Sequence, residues 1–212
     1  FPTLNHKKIK LAWAKILGYK TLPKDHYNLF KAITKFSFVN LKDLKTKNGH
    51  FDEKELAKHK KNGKHTFFDN IQELLESEIV IHKNQKKNKI TKELMGIPQG
   101  LPISALIANV YMLAFDEAVV NELTIKHNVF YRRYSDDIVV LCKENQIDFV
   151  EDFIVKEVEK IDLTISKEKT EKTLFKIHNN RLQSFKIKKD YSLQENFPLN
   201  YLGFEFYGYQ TL

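Results

Sequence analysis

Two adjacent aspartates, Asp136 and Asp137, lie in Tyr134-Ser135-Asp136-Asp137 between two apolar stretches. Paired carboxylates are hard oxygen ligands, which select Mg²⁺ or Mn²⁺ over zinc. An aspartate pair in a turn is ordinarily solvated. Here Phe130-Tyr131 precedes the pair, Tyr134 abuts it and Ile138-Val139-Val140-Leu141 follows. The expectation is therefore two anions at the end of buried strands, which is costly unless a cation compensates them. Two divalent ions held there could activate a 3′-hydroxyl, hold phosphates and stabilise a leaving oxygen. Such a site needs a third carboxylate from elsewhere in the chain.

Presenting the pair requires a hairpin, and Val129 to Cys142 reads as strand, polar break and strand. The segment before it, Gly96 to Leu123 (GIPQGLPISALIANVYMLAFDEAVVNEL), reads as a Gly/Pro-rich turn opening a long apolar helix, with Pro102 in its first turn. Ile103, Leu106, Ile107, Val110, Tyr111 and Ala114 are its predicted buried face. Asp116, late on this helix, reads as an ordinary solvated or N-terminally paired acid. Upstream, Ile9, Trp13, Ile16 and Leu17 predict a helix from His6 to a stop at Gly18. Tyr27, Leu29, Phe30 and Ile33 predict a second helix, and Phe36 to Leu41 a strand or loose connection. Residues 43–65 are nearly all polar and read as an exposed insertion with at most a short helix. Thr66 to Glu78 has an amphipathic helical pattern, and the basic stretch His82 to Lys89 is a hairpin tip or a loop. After the hairpin, Asn145 to Lys160 predicts a helix. Short strands are expected around Thr164–Ser166, Thr173–Ile177, Gln183–Ile187 and Leu202–Tyr207.

Composition narrows the class. The 212 residues are 42% hydrophobic and 12% aromatic, enough to bury a sizeable core and exclude wholesale disorder. The lone Cys142 excludes a disulfide framework and a Cys-based zinc site, and suits a reducing cytoplasm. The histidines lack metal-ligand spacing, and His6 is expected to pack or hydrogen-bond. No run of 18 or more apolar residues occurs, so no membrane-spanning helix is expected. The start, FPTLNHKKIK, lacks a signal-type apolar stretch and opens inside an apolar pattern without Met, so the chain reads as cut. Lys+Arg 35 against Asp+Glu 27 gives a net charge of +8. That charge fits either a lysine-rich solvated surface or a polyanionic partner. Only Arg132, Arg133 and Arg181 are arginine.

Tyr134–Asp137, preceded by Gly96-Ile97-Pro98-Gln99-Gly100 at the head of a long helix, resembles the palm of a reverse transcriptase. Further motifs follow in the family's order. Lys169-Thr170 is similar to the motif whose lysine contacts the incoming triphosphate, and Tyr201-Leu202-Gly203-Phe204 resembles the primer-gripping hairpin. Phe1-Pro2-Thr3-Leu4-Asn5-His6 resembles the end of the motif that begins with the first catalytic aspartate. The resemblance implies an α/β palm, with a mixed or antiparallel sheet backed by helices and part of the fingers. Residues 1–22 and 96–212 would be palm, and 23–95 a fingers-side helical insertion.

By the same resemblance Asp136 and Asp137 are two of three catalytic carboxylates, with Asp136 the direct metal ligand. Pro98 and Gln99 would shape the nucleotide pocket, and Gly100 would permit close backbone approach. Phe1 would be the aromatic gate that excludes a ribose 2′-hydroxyl, if it is not simply a core residue. Lys169 would reach the triphosphate, if it is not one more surface lysine. Tyr201, Leu202 and Gly203 would grip the primer, with Gly203 at a tight approach or bulge. The third carboxylate is expected about five residues before Phe1.

Leu101-Pro102-Ile103-Ser104-Ala105 and the polar insertion look most like bacterial abortive-infection and related anti-phage defence enzymes of this family. The implied activity is Mg²⁺- or Mn²⁺-dependent DNA synthesis from deoxynucleoside triphosphates in a bacterial cytoplasm. Its partners would be an RNA template or DNA product and no membrane. Some family members assemble as homo-oligomers, a property these residues leave open. The alternatives are an RNA-dependent RNA polymerase palm, against which a bulky gate residue argues, and an inactive palm-like module for nucleic-acid binding or assembly.

Overall fold

Asn5 starts the first helix. Its side-chain carbonyl accepts the backbone N–H groups of Lys7 at 2.8 Å and Lys8 at 3.3 Å, capping α1 (His6–Ile16). Gly18, at φ +74°, turns the chain away as expected. These elements come from a computed structural model that describes residues 3–45, 53–63, 66–89, 91–178, 180–188, 190 and 192–208.

Next come α2 (Lys24–Thr34), β1 (Ser37–Phe38), α3 (Leu41–Lys45), α4 (Glu53–Lys61), α5 (Ile71–Glu76) and β2 (His82–Lys83). Strands β1 and β2 pair antiparallel, which resolves the Phe36 and His82 segments as two sides of a small ladder. The polar insertion is not wholly exposed, since Leu44 is buried. The helix expected from Thr66 is shorter, because Asn70 caps it by accepting the Glu73 N–H at 2.9 Å. Phe67 and Phe68 are left ahead of that cap. They line an apolar pocket with Val39, Leu44 and Leu74.

The apolar segment becomes α6 (Pro102–Val119), continued as a π-helical stretch from Val120 to Lys126. Ser104, Ile107, Ala108, Tyr111, Met112, Phe115, Val119 and Leu123 are its buried residues. Leu106 and Ala114, expected inside, face outward. At 100° per residue Leu106 is turned away from the stripe through Ile107, Tyr111 and Phe115, and Ala114 falls at the edge of that stripe. By length and composition Pro102–Lys126 is long and apolar enough to cross a membrane, a test that a core helix also passes. Ser104, Asn109 and Asp116 break the continuous run but leave the mean hydropathy high. Its buried face is the centre of the core.

Strands β3 (Phe130–Tyr134) and β4 (Asp137–Leu141) form the expected hairpin, and a short 3-10 turn leads into α7 (Ile147–Lys160). Then follow β5 (Thr173–His178), β6 (Arg181–Ile187), β7 (Leu193–Glu195), β8 (Leu199–Tyr201) and β9 (Phe204–Phe206). The expected strand at Thr164–Ser166 is absent, since those residues enter a turn at 167–169 without a ladder partner. The single strand expected over Leu202–Tyr207 is instead the second half of a hairpin, β8–β9.

The architecture is mixed α/β. Among the described residues every strand pairing is antiparallel, in four small sheets: β1-β2, β3-β4, β5-β6-β7 and β8-β9. One apolar core joins α1 (Ile9, Trp13), α2 (Phe30, Ile33), α6, the β3–β4 hairpin (Val129, Tyr131) and α7 (Val150, Ile154, Val158). The hairpin is therefore mounted on helices rather than inside a large sheet.

Candidate active site: the aspartate turn

Tyr134 pairs with Asp137 at the end of the β3–β4 ladder, so Ser135 and Asp136 are the two central residues of the turn. Ser135 has φ +57° and Asp136 has no positive φ. That combination matches the II′ class, whose twist suits a two-residue hairpin. Both aspartates are exposed. The expected burial of their strands is only half met: Ile138 and Val140 pack on the core, while Tyr134 is 66% and Leu141 46% exposed. A two-stranded hairpin buries one face and leaves the other in solvent. Burial is thus not what calls for a cation here. Two neighbouring carboxylates remain, and among the described residues neither takes a hydrogen bond or an ion pair from a side chain.

What fixes the turn is Arg133. Its Nε donates to Asp116 Oδ1 at 2.8 Å and one terminal nitrogen to Asp116 Oδ2 at 2.6 Å, a bidentate pair. The other terminal nitrogen donates to Asn109 Oδ1 at 3.1 Å and to the Ser135 carbonyl at 2.7 Å. The Tyr131 hydroxyl donates to Asp116 Oδ1 at 2.6 Å. The Arg133 side chain is 9% exposed and that of Asp116 23%. Hydrogen bonding to Asp116 raises the guanidinium above its ordinary pKa. Burial, then the bond to Asp116, pushes the Tyr131 phenol far above its ordinary range.

Asp116 is thus no ordinary surface acid. The sequence reading missed it because its partners lie beyond the helix, but two signals were present. Asn109 and Asp116 are seven apart, on one helix face, and Tyr131 and Arg133 are two apart, on one strand face. A chain that uses lysine almost everywhere also places two of its three arginines at 132 and 133. Lysine offers no planar fork for such a grip.

The second junction sits where the chain's start meets the Gly96–Gly100 turn. The Gly96 N–H donates to the Leu4 carbonyl at 2.8 Å, and the His6 N–H to that of Leu94 at 3.0 Å. His6 Nε2 lies 2.7 Å from the Gly96 carbonyl, and burial lowers its pKa, so the neutral ring donates there. Asn5, fully buried, donates from Nδ2 to Glu93 at 2.5 Å and to Asp162 at 3.0 Å, and Lys8 pairs with Asp162 at 3.1 Å. The Tyr111 hydroxyl donates to the Ile161 carbonyl, and burial pushes its pKa up to about 12.

The remaining sequence candidates are spread out. Phe1 lies outside the described residues. Pro98 is half-buried, and Gln99 and Gly100 are exposed. Gly100 has φ +88° with open space where a Cβ would stand, so its constraint within this chain is backbone conformation rather than close approach. Lys169 is exposed in a turn, its N–H on the Ser166 carbonyl at 3.1 Å. Tyr201 closes β8, and Leu202 (φ +52°) and Gly203 (φ +81°) make the two-residue turn to Phe204. Positive φ at both positions is the I′ pattern, so Gly203 serves a turn rather than the expected bulge or close approach. Among the described residues no hydrogen bond or ion pair links Lys169 or this turn to the aspartate turn.

Asp136 and Asp137 offer the donor chemistry of a magnesium site, which takes one or two carboxylates and completes its shell with water and phosphate oxygens. Among the described residues no three His, Cys, Asp or Glu side chains gather to hold a metal. In comparisons with known proteins, the model of the family described as reverse transcriptase (RNA-dependent DNA polymerase) matches residues 48–206. No curated protein matches the chain.

Proposed function

The chain belongs to the reverse transcriptase family, and from that premise we propose that the exposed aspartate turn is its nucleotidyl-transfer site. Nucleotidyl transfer onto nucleic acid is the family's activity. The finer reading is a 3′-hydroxyl (or a protein hydroxyl) attacking the α-phosphorus of a deoxynucleoside triphosphate and releasing pyrophosphate. The observation that carries it is Asp136-Asp137 at an exposed hairpin turn, with no side-chain partner among the described residues, inside the family match.

Asp136 and Asp137 would hold divalent metal, Mg²⁺ or Mn²⁺, beside the triphosphate, together with a third carboxylate. When bound, such ions lower the pKa of the attacking hydroxyl and offset charge on the leaving oxygen. The chain's own residues supply position. Pro98, Gln99 and Gly100 would border the nucleotide, Lys169 would neutralise phosphate charge, Phe1 would exclude a ribose 2′-hydroxyl, and Tyr201 to Gly203 would support the primer end. The role carried forward is bacterial anti-phage defence, supported by the likeness at Leu101–Ala105.

The test is deoxynucleotide incorporation by the full-length protein. Asp136→Asn and Asp137→Asn should each reduce it by on the order of a thousandfold, several kcal/mol of transition-state stabilisation. Undiminished synthesis would overturn the reading and leave an inactive binding or assembly module. In the same assay Phe1→Ala should admit ribonucleotides; unchanged sugar discrimination would remove the gate.

A further inference from the structure

The two carboxylates have no side-chain partner among the described residues, so their position is set by the backbone that carries them. That backbone is unfavourable on its own, because Ser135 is held at φ +57° without being glycine. A conformation of that kind persists where its surroundings over-determine it. The surroundings here are one guanidinium. Arg133 reaches two oxygens of Asp116 and one of Asn109 on α6, and with the same fork binds the Ser135 carbonyl at 2.7 Å. That carbonyl belongs to the peptide group joining Ser135 to Asp136. A salt bridge serving only to dock the hairpin would need the Asp116 contacts alone. The bond to the turn carbonyl adds a tie from α6 to the peptide immediately before Asp136.

We infer that Arg133 and Asp116 are positioning residues for the aspartate pair: Asp116 orients the guanidinium, and the guanidinium fixes the peptide ahead of Asp136 to α6. The inference rests on reading Asp136-Asp137 as the nucleotidyl-transfer site. Neither residue touches substrate. Their effect runs through where the carboxylates stand, and so through metal occupancy and the rate of the chemical step. Lysine at 133 would keep a charge for Asp116 but lose the planar fork, and therefore the carbonyl tie. Methionine at 133 with leucine at 116 would remove the charges together and refill the space with apolar groups, an exchange buried ion pairs often tolerate.

The experiment uses full-length protein with Arg133→Lys, with Arg133→Met, and with the pair Arg133→Met/Asp116→Leu. Thermal melting, kcat, KM for the primer end and the half-saturating Mg²⁺ concentration are measured on each. The expected result is at least a tenfold fall in kcat and a severalfold rise in half-saturating Mg²⁺ in all three, with KM for the primer unchanged. The paired variant should recover the melting temperature lost in Arg133→Met, apart from the Tyr131 hydrogen bond that goes with Asp116, but not its kcat. Recovery of both, or Arg133→Lys with wild-type kcat and Mg²⁺ dependence, would overturn the inference and leave a docking salt bridge.

Amide hydrogen exchange over residues 134–138, without substrate, separates this from failure of the functional reading. Faster exchange in the paired variant, at restored melting temperature, supports the tie whether or not the protein polymerises. Unchanged exchange overturns it. Intact synthesis by Asp136→Asn would sink the site assignment while leaving the tie standing.

Discussion

The turns at Ser135-Asp136 and Leu202-Gly203 both reverse the chain with two residues, and they are held in opposite ways. The first depends on a distant anchor. Arg133 makes three hydrogen bonds to α6 and one to the Ser135 carbonyl of the turn, and Tyr131 adds another to Asp116. The second carries its geometry locally, in positive φ at both central positions with glycine at the second. Its strands are short, Phe204 is 67% exposed, and Phe206 meets Phe175 with ring centroids 5.6 Å apart. In the proposed roles, a turn that aims two carboxylates needs a reference point in the core, whereas one that would support a primer end carries its geometry in its own backbone.

The largest expected difference follows from breaking the anchor. Arg133→Met strands the Asp116 carboxylate, and should destabilise the full-length protein to urea by about 3 kcal/mol, the lower end for removing one partner of a buried pair, because Asp116 keeps some solvent contact. A loss as small as that of a surface lysine would erase the contrast between the turns. Tyr131→Phe keeps the ring against Phe115 and removes one hydrogen bond to a charged oxygen, for an expected cost of about 1.5 kcal/mol. It carries a pH signature as well. The folded-state pKa of Tyr131 is raised, so its contribution is complete below the ordinary phenol value near pH 10 and lost as pH climbs beyond it. Stability of the wild type should fall through that alkaline range, and Tyr131→Phe should flatten the fall. An equal slope in both proteins would deny the phenol its place in the tie.

Gly203→Ala should have the smallest effect, about 1 kcal/mol of left-handed backbone strain. Exchange should quicken over residues 199–206 and stay unchanged over 130–141. Loosening of both hairpins would mean that they are one cooperative unit.

Much of this was legible in the sequence because it is local. The helix α1 and its stop at Gly18, the run of α6, the Ser135–Asp137 turn and α7 each announce themselves within a short local stretch. The buried stripe of α6 was harder, since only packing decides which flank of an almost wholly apolar helix turns inward, and Leu106 and Ala114 lost that contest. The strand expected at Thr164–Ser166 had the composition of a strand but no neighbour to pair with. The tie at Asp116 was the least visible, because it joins residues 17 apart across two element types. Spacing identified the aspartate pair; the means of holding it came from a helix whose acid looked unremarkable in isolation.

The most direct measurement of the central claim is where a bound divalent ion sits. Ferrous iron in place of magnesium, with ascorbate, peroxide and a deoxynucleoside triphosphate, generates hydroxyl radicals that cut backbone beside the ion. In the full-length protein the account predicts cuts between Tyr134 and Ile138, suppressed by excess Mg²⁺ and abolished by Asp136→Asn. Cleavage confined to other segments, or cuts at the turn that persist in Asp136→Asn, would contradict it.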